Sequence, residues 1–400
     1  MILNYILMFL AMYIAIFYLI IFIFNSEEID EDPHLPEDKL PGITVLVPAY
    51  NEEETIAETI ESLLKLDYPE NLLEIIVIND GSKDNTSEIA KRYIEQGIRV
   101  IDKENGGKAT ALNLGIETSS YDFIATVDAD SFPDPRSLRN MIGYLSDPGV
   151  MAVSSTMRVF SPQKMIQKLQ MIEYITASFM RKMASYLDGI SVTPGPLSLY
   201  RKTLFEKLGG FDRESIVEDQ EIIFRAQKEH YKIRCSLNAV VYTKTPEHTF
   251  RGKNSLMKQR LRWYRGTIRN LYKYRHLLSS KYGDFGVFIV PISFVFLILS
   301  VVVIAYNAYM LVSNAYFNIG LMSASMDIML QPDSAHFMIA MVLMVSLIVL
   351  YLSVKYVKED NNVILPALIS MVIYGPLLVL FWILSFLTEI LGTKVVWKEK

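Results

Sequence analysis

The sequence predicts an α/β domain on a Rossmann-like, parallel-type sheet, joined to α-helical transmembrane segments. Three observations carry this. Between Pro41 and Phe250, short apolar runs alternate with helix-period segments in units of about 25–30 residues, the pattern of a parallel sheet with helices on both faces. Residues 1–24 hold no charged side chain, and apolar stretches at about 285–312, 335–357 and 363–391 fill the last part of the chain.

The first apolar run is long enough to span roughly 30 Å of hydrocarbon as a helix. It lacks a basic leader and a small-residue cleavage site before the acidic "NSEEIDEDPHLPED", so it reads as a retained anchor (1–25) followed by a linker (26–41). "ITVLVPAY" (43–50) is a buried strand closed by a turn. "NEEETIAETIESLLKL" (51–66) has helical apolar spacing at Ile56, Ile60, Leu63 and Leu64, with acids in its first turn. "LLEIIVIND" (72–80) is a strand, "NTSEIAKRYIEQ" a helix, "IRVIDK" a strand, "GKATALNLGIETS" a helix and "FIATVDAD" (123–130) a strand. Ligands of such sheets sit outside the carboxyl ends of the strands, where Asp80, Asp128 and Asp130 fall. Residues 161–190 repeat Met165, Leu169, Ile172, Thr176, Phe179, Met183 and Tyr186 at helical spacing. This amphipathic helix suits packing on the sheet, or contact with a membrane surface or a sugar chain. The soluble domain is expected over 42–250, basic interfacial helices over 251–284, and a membrane region of about three spans over 285–400.

Composition narrows the function. A single cysteine, Cys235, excludes an intrachain disulfide, and the five histidines lack metal-site spacing. The net charge of −5 hides an asymmetry: residues 251–281 hold ten Lys/Arg and no acid. A basic stretch beside a membrane span reads as cytoplasmic, and that neighbourhood argues against nucleic acid as the partner. Three later spans would place the carboxyl terminus outside, whereas Lys394, Lys398 and Lys400 prefer the inside. Gly375-Pro376 as a re-entrant break, or one stretch lying in the interface, would each resolve this. "ENGGKAT" lacks the first glycine of a Walker A loop, there is no G-x-G-x-x-G, and the Asn85-Thr86-Ser87 sequon sits at a helix start in a cytoplasmic domain.

Asp128-Ala129-Asp130 places two hard oxygen ligands together, suited to Mg²⁺ or Mn²⁺ with substrate phosphates. Asp80 at a strand end can accept from a base or ribose, or can simply be the turn residue before Gly81. Lys108 follows two glycines at a helix start, where free N–H groups, helix dipole and ammonium suit a diphosphate; a plain glycine turn is the alternative. "VEDQE" (217–221) gives Glu218 and Asp219, a second acidic pair or a solvated helix start. "QRLRWYRG" (259–266) reads two ways: a membrane-surface anchor, or a diphosphate grip in which Arg262 pairs bidentately and Trp263 offers a flat face to a sugar ring.

Taken in order, "PAYNEEE", "NDGSKDNT", "NGGKATALN", "DAD", "GPLSLYRK", "VED" and "QRLRW" resemble the membrane-embedded family-2 glycosyltransferases, the group of hyaluronan, poly-N-acetylglucosamine, chitin and cellulose synthases. The resemblance covers about residues 41–400 and implies a GT-A fold. It implies that Tyr50, Glu52, Asp80, Lys108 and Asp128 serve the nucleotide and that Asp128 and Asp130 hold the metal. It makes Asp219 the general base beside Glu218, and Gln259, Arg262 and Trp263 a clamp near diphosphate and acceptor. The base motif usually reads Thr-Glu-Asp; Val217 replaces the threonine here. The implied enzyme is an inverting transferase at the cell membrane. It would use a UDP-sugar such as UDP-N-acetylglucosamine and extend a polysaccharide, with membrane lipid around it and coupled translocation of the product. Single transfer to a lipid-linked acceptor and a non-catalytic membrane scaffold are the alternatives.

Overall fold

The computed structural model describes residues 2–252, 255–295, 334–359 and 362–392, with isolated helical positions at 302 and 309. The expected span at 285–312 is therefore described to Val295, and the basic tail lies outside the described residues.

The helix α1 (Ile2–Phe24) leads through the acidic linker into an eight-stranded sheet. In chain order the domain runs β1 (Ile43–Ala49), α2 (Ile56–Leu64), β2 (Leu73–Asn79), α3 (Thr86–Lys91), β3 (Ile98–Asp102), α4 (Lys108–Thr118), β4 (Phe123–Thr126), β5 (Ser131–Pro133), α5 (Ser137–Ile142), β6 (Val150–Val159), α6 (Met165–Ser185), β7 (Ser198–Arg201), α7 (Lys202–Leu208), α8 (Glu218–Lys228) and β8 (Lys232–Thr243). The sheet order is β3-β2-β1-β4-β7-β6-β8-β5.

Its first half is parallel, as the alternation predicts. Ala49 pairs with Asn79, and Leu46 pairs with Thr126, so the carboxyl ends of β1, β2 and β4 form one rim. In β1, Val45 and Val47 enter the core on one face and Leu46 the core on the other. Both faces are buried, which is why these strands read as continuous apolar runs. The second half is mixed. β7 pairs antiparallel to both β4 and β6, and β5 antiparallel to β8.

Two local differences matter for the site. The helix expected from residue 51 begins at Ile56. Residues 51–55 instead bind the loop after β2: the N–H groups of Asn51, Glu52 and Glu53 donate to Ser82 Oγ, Thr86 Oγ1 and Asp84 Oδ2, and Asn51 is left-handed (φ 56°). The strand expected over 123–130 stops at Thr126, and Ser131 N–H bonds back to the Asp128 carbonyl, so Asp128 and Asp130 sit on a turn.

α6 takes the first of its two expected roles, packing on the sheet. It packs on β6 and β8, and its Phe179 meets Phe22 of α1. Beyond β8 come α9 (Leu256–Lys273), then α10 (Ser334–Val357) and α11 (Ile364–Ile390), the last with a π-helical turn at Ser370–Tyr374. Ala340–Val357 and the whole of α11 are long and apolar enough to cross a membrane.

Candidate active site

Asp80 is nearly inaccessible at the end of β2. Its Oδ1 accepts from Lys103 Nζ and from Gly106 N–H (3.0 Å), and its Oδ2 from Gly107 N–H (2.8 Å). Both oxygens are thus spent on the loop that leads into α4. Gly81 makes this approach possible: its φ is +70°, and a Cβ there would stand 2.7 Å from the Asn105 nitrogen. The bonded loop fixes Lys108 as the first residue of α4.

Lys108 Nζ lies 2.6 Å from Asp128 Oδ1 and 3.2 Å from Glu218 Oε1, so it ties the turn after β4 to the start of α8. Burial alone would lower its pKa, but Asp128, Glu218 and Asp219 together outweigh that and hold the ammonium charged, well above the ordinary lysine range. Gly195, in the "GPLSLYR" segment, lies over this pair. A Cβ there would be 2.6 Å from Asp128 Oδ2 and 2.7 Å from Lys108 Nζ.

The acids of the rim are unequal. Burial and the neighbouring Asp128 push Asp130 up to about 6. Burial and Asp130 push Glu52 up to about 7. At α8, burial would raise Glu218, yet Lys108 and Arg262 hold it below the ordinary carboxylate range, whereas burial and Glu218 push Asp219 up to about 6. A site with two carboxylates driven apart in this way separates a fixed charge from a group able to take up a proton near neutrality. Asp219 Oδ1 accepts from Gln220 N–H (2.9 Å). Tyr50 is exposed on the same rim, 40% accessible.

α9 closes this side through small, specific contacts. Val217 packs on Gly266: a Cβ on Gly266 would stand 2.3 Å from a Val217 methyl. Asn270 donates to Gln220 (3.1 Å), and Lys273 and Tyr274 reach Glu221. The fields of Glu218 and Asp219 therefore extend to Arg262. Gln259, Arg262 and Trp263 recur at i, i+3, i+4, one helix face. The guanidinium over Trp263, however, belongs to Arg260, 4.1 Å from the ring centre. Arg260 is fully buried, donating to Glu173 of α6 (2.7 Å) and to Gln259 Oε1 (3.1 Å).

Sequence reasoning named the rim acids, Lys108, Glu218, Asp219 and the α9 residues; the structure joins Asp128, Lys108 and Glu218, with Asp219 and Arg262 close enough to act on them electrostatically, and gathers Gln259 and Trp263 around Arg260 instead. It missed Lys103, Gly195 and the Arg260–Glu173 pair. Gly195 had a readable signal, since it opens a motif already singled out. Lys103 and Glu173 had none, because their partners lie 23 and 87 residues away.

Comparison with known proteins places this arrangement. Residues 44–209 match the model of glycosyl transferase family 2. The poly-beta-1,6-N-acetyl-D-glucosamine synthase of Staphylococcus aureus (strain COL) is 34% identical over 270 residues, 65% of this chain and 64% of that protein. The same-named synthase of Staphylococcus epidermidis is 35% identical over 232 residues, 57% of this chain and 55% of that one. The chain thus spans less than two thirds of the length of these curated relatives. A mannosyltransferase of Pyrobaculum calidifontis, solved with GDP-Man and Mn²⁺, superposes with a TM-score of 0.64 at 18% identity, covering 98% of this chain and 100% of that one, and so shares the fold. Residues 44–209 are thus similar in sequence to glycosyl transferase family 2, and they lie in a fold of the GT-A-like form.

Proposed function

We propose that the chain is an inverting glycosyltransferase of the cell membrane, its catalytic domain cytoplasmic, that moves a sugar from UDP-N-acetylglucosamine or a related UDP-sugar to the end of a growing polysaccharide. The observation that carries this is the pairing of Asp219, poised near neutrality, with a Lys108 cation held by Asp128 and Glu218. The acceptor hydroxyl oxygen attacks the anomeric carbon as Asp219 takes its proton. The bond from that carbon to the diphosphate breaks, and UDP leaves with the electron pair. Lys108, preset by the Asp80-bonded loop, and Arg262 face the charge that develops there. Displacement in one step inverts the anomeric centre.

A divalent cation fits the rim. Asp128 and Asp130 are hard oxygen donors on one turn after β4, and among the described residues only Lys108 makes an ion pair with either of them. They would hold Mg²⁺ or Mn²⁺, which supplies Lewis-acid neutralisation of the diphosphate. Gln259 and Trp263 would line the acceptor side. The names of the staphylococcal relatives support the N-acetylglucosamine polymer over other products.

The test is UDP release by the purified protein in lipid with each UDP-sugar, followed by sizing of the product. UDP-N-acetylglucosamine should give the fastest release and a size ladder that a specific glycohydrolase degrades. A product that is only a lipid bearing one sugar, at every donor concentration, would replace the polymerase by the single-transfer reading.

A further inference from the structure

α11 is long and apolar enough to cross a bilayer, yet its contacts describe a different placement. A helix of 27 residues is about 40 Å long, so a spanning helix must leave one end on the far side of the hydrocarbon. Both ends of α11 are tied to the catalytic domain. It follows α10, whose last carbonyls, of Val357 and Lys358, accept from Arg158, while Lys358 pairs with Asp30 of the linker (3.1 Å). Midway, Tyr374 Oη donates to Glu173 of α6 (2.6 Å). Further on, Trp382 stacks on Tyr264 of α9 (4.2 Å), and Glu389 binds Arg265 (2.8 Å) and Arg269 (2.6 Å).

The order of these contacts rises together in both helices, so α9 and α11 run side by side in the same direction. α9 carries Lys258, Arg260, Arg262, Arg265, Arg269 and Lys273 along its whole length. A helix so charged does not lie across hydrocarbon, and its neighbour shares its plane. α11 is divided accordingly. Ala367, Tyr374, Phe381 and Ser385 are buried towards α6 and α9, whereas Leu365, Leu368, Val372, Leu380, Leu387 and Leu391 are exposed, 45% to 74% each.

We propose that α11 lies in the plane of the membrane surface, on the catalytic domain's side, with this exposed stripe sunk into the lipid beneath α9. The occupant of the stripe is the bilayer itself. The stripe is apolar from end to end, and the basic segment 251–281 beside it suits anionic headgroups. The inference rests on the membrane reading given above. It makes α11 the plate on which the Arg260–Glu173 pair, and with it Trp263, is seated.

The experiment places an environment-sensitive fluorophore on single cysteines at Val372, Leu380 and Leu387 of the full chain, in a Cys235→Ser background, reconstituted in vesicles with quenchers at known depths. Leu347, near the centre of α10, is the control. An in-plane helix gives three equal, shallow depths, with Leu347 deeper. A spanning helix spreads the outer two over about 22 Å, fifteen steps of helical rise, and that result overturns the proposal. Equal depths with no lipid quenching overturn it as well and assign the stripe to a protein partner. Absence of quenching at Leu347 marks failure of the membrane reading instead.

Discussion

Gly195→Ala adds one methyl group directly above the Lys108–Asp128 pair. The backbone of Gly195 is not in the left-handed region, so alanine costs nothing in conformation and the effect is one of space. The new Cβ would stand 2.6 Å from Asp128 Oδ2, against 3.4 Å for the inner edge of ordinary contact, so about 0.8 Å of displacement is forced. Lys108 Nζ, at 2.7 Å from the same point, must move as well. Misplacement near 1 Å at a reacting centre costs about a hundredfold in rate, while a single added methyl costs about 1–3 kcal/mol in stability. The assay is UDP release against UDP-sugar concentration, with thermal unfolding of the same sample. The expected outcome is a folded protein with kcat reduced by about one to two orders of magnitude. Full turnover with unchanged KM would refute the placement of Lys108 and Asp128 at the diphosphate.

Asp219→Asn should retain donor binding and lose at least about a hundredfold in turnover, read by comparing UDP-sugar titration with UDP release. In the native protein the base must be unprotonated, so kcat should be flat above pH 7 and fall about tenfold per unit below the Asp219 pKa of about 6; a profile level down to pH 4 would move the role elsewhere. EDTA should abolish UDP release and Mg²⁺ or Mn²⁺ restore it, and full activity in chelator would remove the metal from the mechanism. Arg260→Ala empties a fully buried site and leaves the partly exposed Glu173 only its bond from Tyr374, and should cost about 1.5–3 kcal/mol, seen as a fall in Tm; Arg260→Met with Glu173→Leu should recover most of it.

The parts of this site that were legible in the sequence share one property: each is a loop at the end of a strand whose apolar run is unmistakable. "VIND", "VDAD" and "GGKAT" could be placed on one rim because a parallel sheet puts like ends together. What could not be read depends on pairing over distance. β7 enters between β4 and β6 in antiparallel sense, a choice no local pattern records. Residues 51–55 have helix-start chemistry, and three hydrogen bonds to the neighbouring loop override it. Arg260 sits two residues from Arg262 in a motif read as phosphate-gripping, and only the position of Glu173 on α6 shows that this guanidinium faces inward.

The contact between Val217 and Gly266 gives the departure from Thr-Glu-Asp a meaning of its own. The two positions share a single volume, filled from the α8 side and left void on the α9 side. Valine and threonine are near-isosteres, so either fills it, and the hydroxyl is incidental to the fit. Sequence drift at one position is bounded by the other: a larger residue at 266 is admissible only with a smaller one at 217. In homologues with bulk on the α9 side, the residue before the acidic pair should therefore be glycine, alanine or serine, and the two columns should vary as a sum rather than singly.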